Sequence, residues 1–345
     1  MTPDEVRRRL ADLARVELAE LPTPLTDCPR LSSVIDGPRI MIKRDDCTGL
    51  AFGGNKVRQH EYVLGDAIAA GADCLVQGAA TQSNHSRQLA AAGARLGLDT
   101  YLLPKLPDPP VPAQGNYLVD HLFGAHIRPI GPGESSIAAK QALVAELERA
   151  GRRPYVTGMG ADRALLLAAV AYVDAVVEIV EQLPPGARLD AIYTTSQGST
   201  QAGLLLGCAL LGLSTSVVGI CPMPPEHEAW IAPDQVADMV RGAGDLIGAE
   251  PDTPYGEVEL RQDFVGPGYG VGSAAGREAM ALLGRTEGIL LDPVYTAKGF
   301  SGLLADCRAG RWSAEQTVVF VHTGGLPGLF AQPDEVLAAA RTDLG

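Results

Sequence analysis

The side chain that this sequence sets up most pointedly for chemistry is Lys56, the last residue of Gly53-Gly54-Asn55-Lys56. A strand-like IMIK (40–43) leads through a polar loop into that tetrad, and a helical pattern follows it. Adjacent glycines let the backbone come close to a flat ligand and place Asn55 and Lys56 at a helix start. The positive end of the helix dipole there favours the neutral amine that Schiff-base chemistry needs. Taken alone, the tetrad also describes a turn followed by a solvated lysine. Arg44, Asp45 and Asp46 read as an exposed charged loop or as local structural pairs.

A second segment, QGAATQSNHSRQLAAAG (77–93), ends a strand in small polar residues, and Ser86 is placed to open a helix. Free N–H groups at such a start hold carboxylates. Ser83, Asn84 and His85 add a hydroxyl, an amide and an imidazole. An ordinary N-cap accounts for the same residues, and no Ser/His/Asp constellation surrounds His85. In YTTSQGSTQAGLLLG (193–207), Ser196-Gln197-Gly198-Ser199-Thr200 makes a phosphate cup of N–H groups and hydroxyls, or a strand–helix turn that binds nothing. It is neither a GK[ST] loop nor a GxGxxG fingerprint, which argues against ATP and NAD. GPGYGVG (266–272), LLDPVYTAKG (290–299) and VVFVHTGGLPGLF (318–330) put Tyr269, Tyr295 and a Thr-Gly-Gly turn on loops. Singly, such tyrosines are packing residues with satisfied hydroxyls.

These loops need a scaffold. Short apolar runs at 73–77, 100–104, 126–130, 153–157, 190–195, 215–220 and 317–322 alternate with helical patterns at 86–98, 114–124, 137–151, 161–182, 200–212, 278–288 and 301–310. Alternation of this kind predicts βαβ units and parallel sheets flanked by helices. Ligands then bind beyond the carboxyl ends of the strands. The proline-rich stretch 104–115 reads as a surface loop, and 222–272 as helices separated by irregular loops.

Composition narrows the function. With 28 Lys and Arg against 41 Asp and Glu, the formal charge is −13, which argues against nucleic acid and anionic membranes as partners. A chain of 345 residues, 46% hydrophobic, is long enough for two domains with real cores. No segment approaches the ~18 apolar residues of a membrane span, and the N-terminal stretch has no secretory apolar region. Six scattered cysteines without a CxxC read as reduced thiols of a cytoplasmic protein, with no metal site.

In order along the chain, GGNK, QSNH, the Ser/Thr/Gly loop, GPGYG, DPVYTAKG and HTGG resemble a family of pyridoxal 5′-phosphate (PLP) enzymes. That family includes D-cysteine desulfhydrase, L-cysteate sulfo-lyase and 1-aminocyclopropane-1-carboxylate (ACC) deaminase. The resemblance covers roughly residues 20 to 331. It implies the tryptophan synthase β-like fold, fold type II, an α/β architecture of two three-layer α/β/α domains with PLP in the cleft between them. Residues 1–56 plus 169–345 would form the large domain and 57–168 the small one, in a homodimer acting on a small amino acid. By the same resemblance Lys56 would carry PLP as a Schiff base and transfer protons, and Asn55 would bond the cofactor's 3′-oxygen. Ser196, Gln197, Gly198, Ser199 and Thr200 would hold its phosphate. Ser83, Asn84 and His85 would bind the substrate carboxylate and border the reacting carbon, with Ser83 counted among the catalytic residues. Tyr269 and Tyr295 would line the catalytic face, and Thr296 would face the pyridine nitrogen with Thr323 nearby.

ACC deaminases carry a Glu after DPVY, which keeps the pyridine nitrogen protonated. Thr296 is a neutral hydroxyl and favours a weaker electron sink, enough for β-elimination with a good leaving group. The expectation is therefore a carbon–sulfur lyase giving pyruvate, ammonia and sulfide or sulfite. ACC deaminase, a biosynthetic enzyme using the same aminoacrylate, and a non-catalytic PLP- or amino-acid-binding relative are the alternatives. Two departures from the family's pattern keep them open. Gln197 and Ser199 stand where the family's GSGGT or GSAGT has small residues, and Gly158-Met159-Gly160-Ala161-Asp162-Arg163 replaces its GGSN.

Overall fold

A computed structural model describes residues 1–109, 112–158, 160, 162–196, 198–250 and 253–344. Among them, ten strands run in chain order as β1 (Leu25–Asp27), β2 (Arg39–Lys43), β3 (Cys74–Ala80), β4 (Asp99–Lys105), β5 (His126–Ile127), β6 (Pro154–Val156), β7 (Leu189–Thr195), β8 (Ser216–Ile220), β9 (Glu259–Arg261) and β10 (Thr317–Val321). The helices are α1 (Pro3–Leu10), α2 (Pro29–Ile35), α3 (Asn55–Ala69), α4 (Asn84–Leu96), α5 (Gly115–Leu122), α6 (Ser136–Arg149), α7 (Asp162–Gln182), α8 (Ser199–Leu210), α9 (Pro233–Leu246), α10 (Ala274–Glu287), α11 (Thr296–Arg308), α12 (Leu326–Ala331) and α13 (Pro333–Ala340).

The strands form two sheets, ordered β1-β2-β10-β7-β8-β9 and β5-β4-β3-β6. All neighbours are parallel except β1 and β2. In the larger sheet Val319 of β10 lies between Met41 and Ile192. Every residue of β7 and β10 is buried, as expected of parallel strands covered by helices on both faces. One core joins Ile42, Tyr193 and Phe320 to Leu31 of α2, Leu283 of α10 and Phe300 of α11. A second joins Ile192 and Val319 to α7, α8 and α9, and continues into Val57 and Leu64 of α3 and Leu89 of α4. A third sets Val76 and Leu103 of the smaller sheet against Leu143 and Leu147 of α6. This is the fold-type-II arrangement expected from the sequence. No helix among the described residues is long and apolar enough to cross a membrane.

The structure differs from the sequence reading at several boundaries. The 222–272 stretch contains a strand, β9, whose three residues pair with β8. Its short, charged ELR offers no apolar run to detect. β5 is only two residues long. Helix α4 opens at Asn84 with Ser83 as cap, so Ser86 lies inside the first turn and donates its N–H to Ser83 Oγ at 3.1 Å. Helix α11 starts at Thr296, five residues earlier than its apolar periodicity suggests. The cause is Asp292, whose carboxylate accepts from the N–H groups of Val294, Tyr295 and Thr296 at 2.9 Å each.

Asp45 corrects the exposed-loop reading, because it is wholly buried. Its carboxylate accepts from Arg58 at 3.0 and 3.1 Å, from Thr23 Oγ1 at 2.7 Å and from Tyr172 OH at 2.6 Å. Arg58 also donates to Glu178 at 2.7 and 3.0 Å, and Lys43 Nζ lies 2.6 Å from the same carboxylate. This network locks α3 to β2 and α7. Arg44 and Asp46 form a local pair at 2.7 Å.

Candidate active site

Four of the loops singled out in the sequence leave the carboxyl ends of strands: 53–56 follows β2, 83–85 follows β3, 196–200 follows β7 and 323–325 follows β10. The two glycine turns touch. A Cβ on Gly324 would stand 2.7 Å from Gly54 Cα, and one on Gly54 would stand 2.4 Å from Gln88 Nε2. Gly54 also has φ +126°, a conformation that favours glycine. Asn55 N–H donates to Thr323 O at 3.1 Å, which fixes the start of α3 against the HTGG turn.

Lys56 therefore stands in the first turn of α3, half-buried at the cleft. Burial alone pushes that amine down to about 8. It has no ion pair or hydrogen bond among the described residues. A desolvated lysine without a counter-ion gives up its proton readily, which suits Schiff-base formation and proton abstraction.

Across from it, α8 opens at Ser199 after Gly198, whose φ is +103°. A Cβ on Gly198 would press on Ile231 at 3.0 Å and on Met239 Sδ at 3.1 Å. Asn55 Nδ2 donates to Thr200 Oγ1 at 3.2 Å, and Gln59 Nε2 donates to Thr200 Oγ1 at 3.2 Å and Ser199 Oγ at 3.3 Å. Both hydroxyls thus accept from α3 and keep their own protons for an anion at the helix start. Ser196 Oγ accepts from Gly198 N–H at 3.3 Å. Gln197, Met159 and Ala161 lie outside the described residues.

On the facing loop, Ser83 Oγ caps α4 and Asn84 is held from behind. Its Oδ1 accepts from Arg87 Nη1 at 3.2 Å and from Asn116 Nδ2 at 3.1 Å. Its amide nitrogen is left for a ligand. His85 Nδ1 pairs with Gln77 Nε2 at 3.3 Å.

Tyr269 and Tyr295 are brought together. Their hydroxyls share a short hydrogen bond and their rings meet edge-on with centroids 6.0 Å apart. Burial raises the Tyr269 hydroxyl above its usual range. Thr195 Oγ1 donates to Tyr295 O at 3.0 Å. Lys298 Nζ donates to Val265 O at 2.7 Å and Gly268 O at 2.8 Å, gripping the loop that carries Tyr269. Thr296 is fully buried, and its hydroxyl donates to Asp292 Oδ1 at 2.7 Å. That commitment leaves it only a lone pair to present, whereas no such bond ties down the Thr323 hydroxyl among the described residues.

Arg87, Asn116, Lys298, Asp292 and Gln59 were not singled out in the sequence, since each acts through another residue. The one available signal was Gln59, one helical turn from Asn55 and Lys56 on α3.

A lysine whose amine is lowered to about 8, facing a helix start lined with two hydroxyls, fits an aldehyde cofactor that carries a phosphate. The fold and this site together define a fold-type-II PLP enzyme. Residues 16–324 match the model described as pyridoxal-phosphate dependent enzyme, and the chain belongs to that family. It is 38% identical over 327 residues to D-cysteine desulfhydrase of Salmonella typhi, covering 93% of this chain and 97% of that protein. The Salmonella newport enzyme of the same name matches with the same identity and coverage. Among solved structures, an ACC deaminase homologue superposes with a TM-score of 0.87 at 34% identity, covering 98% of this chain and 100% of the other. Threonine deaminase isoform 2 of Solanum lycopersicum shares the fold, with a TM-score of 0.67 at 17% identity over 98% of this chain and 94% of that one.

Proposed function

We propose that this protein is a PLP-dependent carbon–sulfur lyase that eliminates sulfide from a cysteine-like amino acid, D-cysteine first, leaving pyruvate and ammonia after hydrolysis. The observation that carries the reading is the half-buried Lys56 amine, which has no counter-ion among the described residues and faces the cavity it shares with Ser199 of the 196–200 cradle. PLP, when bound, supplies the electron sink that lets the Cα–H bond break. Asn55, Lys56, Ser196, Gly198, Ser199, Thr200 and Thr323 would hold it.

The chain's own groups do the rest. Lys56 Nζ takes the Cα proton. The Asn84 amide and the N–H groups at the start of α4 bind the carboxylate, and the Ser83 hydroxyl borders the reacting carbon. The paired hydroxyls of Tyr269 and Tyr295 stand ready to give a proton to the departing sulfur. The 38% identity to D-cysteine desulfhydrases and the neutral Thr296 both favour elimination. Sulfite release from L-cysteate needs the same residues.

ACC ring opening is the second reading, favoured by the likeness to the ACC deaminase homologue and disfavoured by Thr296. The test is product analysis of purified protein with D-cysteine, L-cysteate and ACC. Pyruvate with sulfide from D-cysteine supports the reading, and 2-oxobutanoate from ACC alone overturns it.

We also propose a homodimer. Leu118 and Leu122 of α5 are 53% and 81% exposed, and Leu326 and Phe330 of the adjoining α12 are 36% and 70% exposed. Apolar side chains gathered on two packed helices suit a self-association surface. The domain boundaries near 57 and 168 remain our proposal, supported by the grouping of β3 to β6 in one sheet. Six unpaired cysteines, five of them buried, support a cytoplasmic setting.

A further inference from the structure

Beside Lys56 lies a cavity of about 30 Å³. Lys56, Gln59, His60, His85, Thr157 and Ser199 contribute its polar wall, and the rest comes mainly from Val63, Ala164, Leu165 and Ala168. His60 follows Lys56 by one helical turn on the same face of α3. Its side chain is 1% exposed, and neither ring nitrogen has a hydrogen-bond partner among the described residues. The His85 ring packs on it with centroids 4.9 Å apart.

The tautomer of His85 follows from its neighbours. Thr157 Oγ1 donates to Gln77 Oε1 at 3.4 Å, so Gln77 Nε2 donates to His85 Nδ1 at 3.3 Å. The ring proton therefore sits on Nε2, which is buried and unpartnered. One donor on His85 and one lone pair on neutral His60 thus remain unused beside an unpartnered amine. The cavity exceeds the ~10–15 Å³ that one water needs, and its polar atoms supply the two to four partners that such a water requires. Buried polar atoms left unmatched are costly, so a histidine among alanine, valine and leucine calls for such a partner.

We propose that His60 and His85 hold a water against Lys56 Nζ, and that His60 is a positioning residue for the proton-transferring amine. The water accepts from His85 Nε2–H, donates one hydrogen to His60 and keeps the other, with its second lone pair, for Lys56. No bond to carbon is made or broken. The water aims the amine and solvates it in both its charged and its neutral form. The inference rests on the reading of Lys56 as the proton-transfer base. Burial, then the Lys56 charge, pushes the His60 imidazole down to about 3, and burial likewise lowers His85. Both rings stay neutral and do not compete with Lys56 for protons. The titratable groups facing this pair are Lys56 from α3, His85 from α4 and Lys140 from α6, whereas α7 presents only Ala164, Leu165 and Ala168.

The test combines His60→Leu, which removes the lone pair while keeping bulk, with His60→Gln, which restores an acceptor. A high-resolution structure of the holoenzyme is expected to show the water in hydrogen-bond reach of His60 and His85, and His60→Leu is expected to lose it. His60→Leu should keep its cofactor absorbance and its KM within about twofold, while kcat falls about tenfold. The acid limb of its kcat–pH profile should move down by about one unit as the amine loses its solvation. His60→Gln should recover most of the lost kcat. A dry cavity in the wild type, or a His60→Leu enzyme with unchanged kcat and pH profile, overturns the proposal. Failure of the underlying reading looks different: the wild type would show no Schiff-base absorbance whether or not the water is present.

Discussion

Two residues of α3, the half-buried Lys56 and the fully buried Arg58, present opposite cases of positive charge drawn away from water. Every arm of the Arg58 guanidinium is answered by Asp45 or Glu178. Burial opposes the Asp45 charge, but Arg58 outweighs it and holds the carboxyl below its usual range. Lys56 has burial and nothing to offset it, so its amine drops to about 8. The difference separates architecture from chemistry: paired buried charges fix α3 in place, while the unpaired amine stays convertible between its two forms.

The contrast predicts different failures on the two faces. Lys56→Ala should lower turnover by at least about 10³-fold while leaving the melting temperature nearly unchanged, as steady-state kinetics and thermal denaturation would show. Arg58→Met should do the reverse. It strands Asp45 and Glu178 without their partner and is expected to cost about 3–5 kcal/mol in urea unfolding. Because the Asp45 carboxyl is held below its usual value, its share of stability is present above about pH 4 and is lost as the pH falls below that. An unfolding series in pH would check the sign.

Asp120 and Arg87 lie between these extremes. Burial pushes the Asp120 carboxyl up to about 7, although Arg87 pulls against it. Arg87 is wholly buried, and burial lowers it to about 10. A raised carboxyl works against the fold as the pH climbs, because the unfolded chain releases this proton near pH 4 and the folded chain only near 7. Asp120→Asn should remove that penalty and gain about 1–3 kcal/mol at pH 8, with little effect at pH 4. Thermal denaturation at the two pH values would measure it. The smallest effect is expected at Lys298. Lys298→Met frees the 265–268 backbone and should lower kcat/KM for D-cysteine by about tenfold, near 1.4 kcal/mol in transition-state terms.

The residues proposed for direct chemical roles were legible in the sequence because glycines and strand ends frame them. GGNK, QSNH and HTGG all emerge where the alternation of strands and helices places them, and the tyrosines of GPGYG and DPVY meet. Supporting residues were not legible, for a physical reason. Lys298, Asn116 and Arg87 act by bonding a backbone or a side chain remote in sequence, and local periodicity carries no trace of such a partner. Asp45 read as a surface charge or a member of a local pair because its partners, Arg58 and Tyr172, come from two other helices. Thr296 stood five residues ahead of the helix that apolar spacing suggested, and its bond to Asp292 depends on a helix start that this spacing did not reveal.

The central claim is most directly tested by reducing the purified holoenzyme with borohydride, digesting it and sequencing the peptides by mass spectrometry. A single pyridoxyl adduct on the peptide containing Lys56 is predicted. An unmodified Lys56, or an adduct confined to another lysine, would contradict the account.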